Sequence, residues 1–273
     1  MEPQHDSQTW FGQASSLYKA GRYRGAVAKF DKFLQAHPES YEAWTIRGYA
    51  LNHLHATSEA IHSFEKAISV HPKHSLAWHG KGLAYVELEA YEQAIDSFER
   101  AVRHNPQDYK AWYNQGKALL CLDKHREATR CFKTAIELKP VDYRAWYYQG
   151  FALATLRRFD EALDSLNTAV TLKPQCDYAW SYRGLVLRKL ERYPEAIHSF
   201  EQAVKYKSDN SNAWYGQART YADMGEVELT LQCLHRALQL SPNLYRVLAR
   251  TDTAFDAIRQ DVQFQALLQD CTA

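Results

Sequence analysis

Twelve histidines and five cysteines are the residues of this 273-residue chain that first suggest chemistry. His53, His55, His62, His71, His74 and His79 crowd one region, and imidazoles gathered in this way are a starting ligand set for zinc or a related ion. The cysteines, Cys121, Cys131, Cys176, Cys233 and Cys271, are odd in number and contain no CxxC pair, and no HExxH accompanies the histidines. His71 and His74 fall in an expected loop, whereas His53 and His79 fall on expected helices, so no metal site is expected. Cys131 and Cys233 each precede a large apolar helix residue where a small side chain fits, and read as packing thiols of a reducing compartment. Asp160 and Glu161 are neighbouring carboxylates, but acids at a helix start favour its dipole without doing acid–base work. There is no GxxxxGK[ST], GxGxxG or GxSxG, so neither a catalytic residue nor a cofactor is expected.

The residues that do recur with fixed spacing are apolar. In residues 109–142, Trp112, Gly116 and Leu119 step by four and three, which places them on one face of a helix. Ala128, Phe132 and Ala135 repeat the step on a second helix, and Pro140 ends it. Asp123, Lys124 and His125 make the polar turn between them. Tryptophan returns every 34 residues at Trp10, Trp44, Trp78, Trp112, Trp146, Trp180 and Trp214. A small residue follows each at Ala14, Gly48, Gly82, Gly116, Gly150, Gly184 and Ala218, and prolines close most units.

This pattern resembles the tetratricopeptide repeat family, whose helical hairpins have this period. The resemblance implies an all-α, right-handed superhelical solenoid of seven hairpins, at residues 7–40, 41–74, 75–108, 109–142, 143–176, 177–210 and 211–244. Residues 1–6 form an N-terminal extension. Residues 245–273, with Phe255, Ile258, Phe264, Leu267 and Leu268, resemble the carboxy-terminal capping segments of bacterial members and would cover the last hairpin. One elongated core is expected, without separate domains. Within it the seventh position of the first helix is polar at Arg47, Lys81, Gln115 and Gln149, with heads expected in water. Ser208 replaces a closing proline, so a looser junction is expected there.

A formal net charge of +1 argues against nucleic acid held by bulk electrostatics. No apolar run approaches the ~18 residues of a membrane span, and Met1 to Asp6 lack a signal-peptide core, so a cytoplasmic location without membrane insertion is expected. The family resemblance implies a non-enzymatic scaffold or assembly factor that binds a peptide segment of a partner protein in its concave groove. A regulatory sensor whose curvature responds to a small peptide or signal is the alternative, and self-association is left open. In the family the second, fifth, sixth, ninth, twelfth and thirteenth positions project into the groove. Here they supply Lys110, Tyr113, Asn114, Lys117, Arg144, Tyr147, Tyr148, Phe151, Tyr178, Tyr182, Arg188, Lys189, Tyr215 and Arg219. Rings interleaved with cations suit a partner carrying aromatic or hydrophobic and acidic groups. Tyrosine at the fifth position also packs helix interfaces, so Tyr113, Tyr147 and Tyr215 have a structural reading as well. The two-carboxylate clamp of chaperone-tail adaptors is largely missing, because His79, Leu83, Arg144 and Tyr148 stand beside Asn114 where most of its residues would be.

Overall fold

The apolar steps of four and three produce helices that pair in sequence order. The computed structural model describes residues 3–269; Asp270 and Cys271 lie outside the described residues. It divides into two compact units, Met1–Pro140 and Val141–Ala273, with the boundary falling between hairpins. Nearest-neighbour packing permits such a division in a repeat array, since each hairpin touches only those beside it.

The first unit holds four hairpins: α1 (Pro3–Lys19) with α2 (Tyr23–Ala36), α3 (Tyr41–His53) with α4 (Thr57–Val70), α5 (Ser75–Glu87) with α6 (Tyr91–His104), and α7 (Tyr109–Cys121) with α8 (His125–Leu138). The second holds α9 (Tyr143–Thr155) with α10 (Phe159–Leu172), α11 (Asp177–Lys189) with α12 (Tyr193–Tyr206), and α13 (Ser211–Asp223) with α14 (Val227–Leu240). Then come α15 (Pro242–Thr251), a 3-10 turn at Thr253–Ile258, and α16 (Val262–Leu268). Within each unit first helices also touch one another, α3 with α5 and α11 with α13, and so form a continuous face.

Small residues let the hairpins close. Phe98 is fully buried against Gly82, where an added Cβ would stand 2.6 Å from the ring. Burying such a ring contributes roughly 2 to 3 kcal/mol. Five of the tryptophans then tie their hairpins to the preceding loop. The indole N–H of Trp44, Trp78, Trp112 and Trp180 donates to the carbonyl of Pro38, Pro72, Pro106 and Pro174 at 2.7 to 2.9 Å. Trp214 makes the same bond to Ser208 at 3.0 Å, so this bond does not need the proline at that junction. Asp108 and Asn210 cap first helices by accepting backbone N–H bonds.

The seventh-position chains do not extend their heads into water. Arg47 donates to Asp31 at 2.7 Å and to Ser63 at 2.6 Å, and Arg183 does the same to Asn167 and Ser199. Both cations thereby join two successive second helices. Gln115 and Gln217 stand opposite Cys131 and Cys233, the places Ser63 and Ser199 hold elsewhere, and a thiol is a weak acceptor for a guanidinium. Burial pushes the Cys131 thiol up to about 12 and Cys233 to about 11, so neither is a ready nucleophile.

The closing segment covers the seventh hairpin. Phe255, Ile258, Phe264 and Leu268 are buried with Leu231, Leu234 and Leu238 of α14 in one cluster, against which Leu267 packs. The helix that leads into it, α15, leaves several apolar residues outside the core. Leu244, Val247 and Leu248 are 53%, 64% and 41% exposed, while Tyr245 and Ala249 are buried. A single residue, Ser241, separates α14 from α15, against the four between α12 and α13, and α15 presents a different side to the core as a result.

Candidate functional site

The histidines that first drew notice are placed by packing. His53 stacks on Tyr23 at 4.3 Å, and His71 and His74 flank the Tyr41 ring. Among the described residues no group of three or more His, Cys, Asp or Glu side chains is arranged to hold a metal. His79 is 6% exposed and joins three first helices of the first unit. The Asn114 amide nitrogen lies 3.0 Å from His79 Nε2, so Nε2 accepts and Nδ1 carries the proton, facing Tyr49 Oη at 3.2 Å. The Tyr49 hydroxyl donates onward to the Leu76 carbonyl at 2.9 Å. Asn114, expected in the groove, is thus engaged by a core network.

The other three groove residues of the first unit share α7 with it. Lys110 and Lys117 are exposed, the latter with Nζ 5.8 Å from the Tyr113 ring centroid. Tyr113 is half-buried and edge-on to Phe132.

The remaining ten belong to the second unit, where the first helices shape two adjoining cavities. The larger, about 630 Å3, is walled by Tyr147, Tyr178 and Tyr182 on one side and by Tyr215, Arg219 and Tyr245 on the other. Ring centroids of Tyr147 lie 4.7 Å from Tyr178, 6.1 Å from Tyr182 and 5.1 Å from Tyr148, all edge-on. Burial raises the hydroxyls of Tyr147, Tyr178 and Tyr182 above the ordinary tyrosine range, so they stay neutral donors and acceptors. The second cavity, about 380 Å3, shares Tyr182, Leu185 and Arg219 with the first and adds Arg157, Arg188 and Lys189. Arg144, Tyr148 and Phe151 line neither, although Phe151 supports Tyr182 from 5.2 Å.

Three of the expected cations already have carboxylates. Arg188 grips Asp223 in a two-point pair at 2.6 and 3.0 Å, with only 11% of its side chain exposed. Arg219 meets Asp252 at 2.9 Å, and the Tyr215 hydroxyl donates to the same carboxylate at 2.9 Å. Arg144 lies on buried Asp142 at 2.9 Å. Tyr215 is itself 7% exposed, stacked on Tyr245 at 4.7 Å, so its main contacts are with the closing segment. Lys189 and Arg157 are exposed and have no carboxylate within ion-pair distance among the described residues.

Several lining residues were not in the expected set. Ser181 and Leu185 stand at the fifth and ninth positions, so the positional rule covers them once small and aliphatic residues are admitted. Asp177 and Asn210 lie at a repeat boundary, where Asn210 Nδ2 donates to Asp177 at 2.9 Å and to Ser181 at 3.0 Å. No periodic signal marks them.

Comparison with known proteins agrees with this architecture. Tetratricopeptide repeat models match residues 11–68, 113–175 and 183–244, and a further one matches 75–108. The chain belongs to the tetratricopeptide repeat family. No curated protein matches its sequence. Among solved structures it is similar to YrrB, described as a TPR protein with an unusual peptide-binding site, at 24% identity and a TM-score of 0.62 over 67% of this chain and 95% of that one. MamA from Desulfovibrio magneticus is 19% identical, with a TM-score of 0.57 over 63% and 97% of the two chains. A tetratricopeptide repeat protein from Parabacteroides merdae is 16% identical, with a TM-score of 0.64 over 89% and 97%. These likenesses concern the fold. Among the described residues no helix is long and apolar enough to cross a membrane.

Proposed function

We propose that the chain is a non-enzymatic interaction scaffold or assembly factor that holds a peptide segment of a partner protein on the first-helix face of its second unit. The carrying observation is the pair of adjoining cavities that meet at Tyr182 and Leu185, walled by tyrosines whose rings are braced against one another. Rigid aromatic walls with neutral hydroxyls supply apolar area and hydrogen bonds at low cost in side-chain entropy. The peptide-binding description of YrrB supports the same class of ligand by analogy. Among the described residues four thiols are unpaired, three of them buried, which fits the cytoplasmic setting assumed in this reading.

Because three cations are already paired, the tyrosines should contribute more than the positive charges. Exposed ion pairs contribute ~0 to 1 kcal/mol, a desolvated aromatic anchor about 2 or more. Calorimetric titration of a peptide selected from a displayed library tests this. Tyr178→Ala or Tyr182→Ala should weaken binding more than Lys189→Ala, with circular dichroism unchanged. Equal affinity for wild type and both tyrosine variants would place recognition elsewhere.

A further inference from the structure

The two cavities differ in charge, and the difference follows the helix axes. At the end formed by the starts of α11 and α13, the lining contains Asp177, Asp209 and Lys207. At the other, around the ends of α9 and α11, it contains Arg157, Arg188, Lys189 and Arg219 and no carboxylate. Asp223 and Asp252 neutralise Arg188 and Arg219 from behind. What remains is two unpaired cations, Arg157 and Lys189, at one end and a net single negative charge at the other. Helix dipoles act in the opposite sense at about half a charge per terminus: two N-termini offset the single negative charge at one end and two C-termini halve the positive charge at the other, which leaves the Arg157–Lys189 end about one charge the more positive. Tyr182 and Leu185 line both cavities and form the apolar middle.

We infer that this groove selects a charge-polar segment: a carboxylate at the Arg157–Lys189 end, an aromatic or aliphatic side chain against Tyr182 and Leu185, and a basic residue at the Asp177–Asp209 end. The inference rests on the peptide-groove reading above and refines it, since the ligand's acid alone would leave half of the groove unmatched. Length follows from geometry. Twelve residues of helix separate Asp177 from Lys189, or about 18 Å at 1.5 Å per residue. An extended segment spans that in about five or six residues at ~3.3 Å each. An extended occupant therefore carries its acid and its base about five or six residues apart.

Panning a displayed random twelve-residue library against the full chain tests the inference, followed by titration of the enriched peptides. Enriched sequences should carry both charges at that spacing around an apolar residue. The double variant Arg157→Glu, Lys189→Glu should lose at least tenfold in affinity for them and select peptides with a base in place of the acid. Asp209→Lys, at an exposed position, should weaken binding severalfold and relax the demand for the base. Synthetic copies with a free or amidated C-terminus separate a terminal carboxylate from an Asp or Glu side chain, and either source supports the inference. Enriched peptides lacking the acid–base pair, or indifferent to both reversals, overturn it. If those same peptides still lose affinity with Tyr182→Ala, the groove reading survives alone; if they do not, both fall. A library that yields no binder likewise overturns both.

Discussion

His79 shows how one side chain can be both buried and titratable. Burial lowers its basicity, Lys110 nearby lowers it further, and Asp108 pulls in the other direction. Its neutral form is the one that suits the bonds from Asn114 and to Tyr49, with Nε2 accepting. Since its folded pKa lies below that of the unfolded chain, protonation favours unfolding. The stabilisation is present above about pH 6.5 and is lost as pH falls from there through the folded pKa. Denaturant unfolding at pH 7.5 and 5.5 should show the first unit losing stability on acidification, and His79→Gln should flatten that dependence. An unchanged slope in the variant would remove His79 from the account.

At the scale of elements, the turn within each hairpin carries a uniform strain. Residues 55, 89, 123, 157 and 191 have φ between 56° and 60°, and none is glycine; Gly21 and Gly225 fill the same place in the first and last hairpins at 72° and 78°. The left-handed conformation costs an L-residue ~1 to 2 kcal/mol, of which glycine's greater unfolded-state freedom returns roughly 0.5 to 1. Glu89→Gly and Glu191→Gly should each stabilise by about 0.5 to 1 kcal/mol in equilibrium unfolding, whereas destabilisation would mean that those side chains hold their turns. The closing segment makes the opposite case, for Phe264 is 1% exposed and lies 5.6 Å from the Phe255 ring. Phe264→Ala should cost ~3 to 5 kcal/mol. Removing residues 245–273 should expose the Leu231, Leu234 and Leu238 face of α14 and promote aggregation on heating. A truncated chain as heat-resistant as the whole would show that the segment does not cap.

For the molecule as a whole, what could be read in advance was what residue type and period encode. Trp44, Gly82 and Phe98 announce the hairpins because each side chain has one packing role, repeated every 34 residues. The shared turn conformation carries no such mark, since histidine, glutamate, aspartate and arginine occupy it between two glycines. Nor do the pairs Arg188–Asp223 and Arg219–Asp252, whose partners lie about one repeat apart; the first meets only when α11 and α13 lie together, the second only when the closing segment packs on α13. Those pairs decide which cations face a ligand, and so the balance of the site between aromatic and charged contacts was legible only in three dimensions. The exposed side of α15 was hidden for a different reason: a one-residue link reset the helix phase while its apolar residues kept their order.

On the proposed function, the first-helix face of the second unit receives a partner's peptide. Amide chemical-shift mapping of the full chain, titrated with a library-selected peptide, addresses it most directly. Perturbations should cluster on α11 and α13 and in the 207–210 loop, with Tyr182 and Leu185 among the most affected. Perturbations confined to α10, α12 and α14 would place recognition on the second helices and contradict the account.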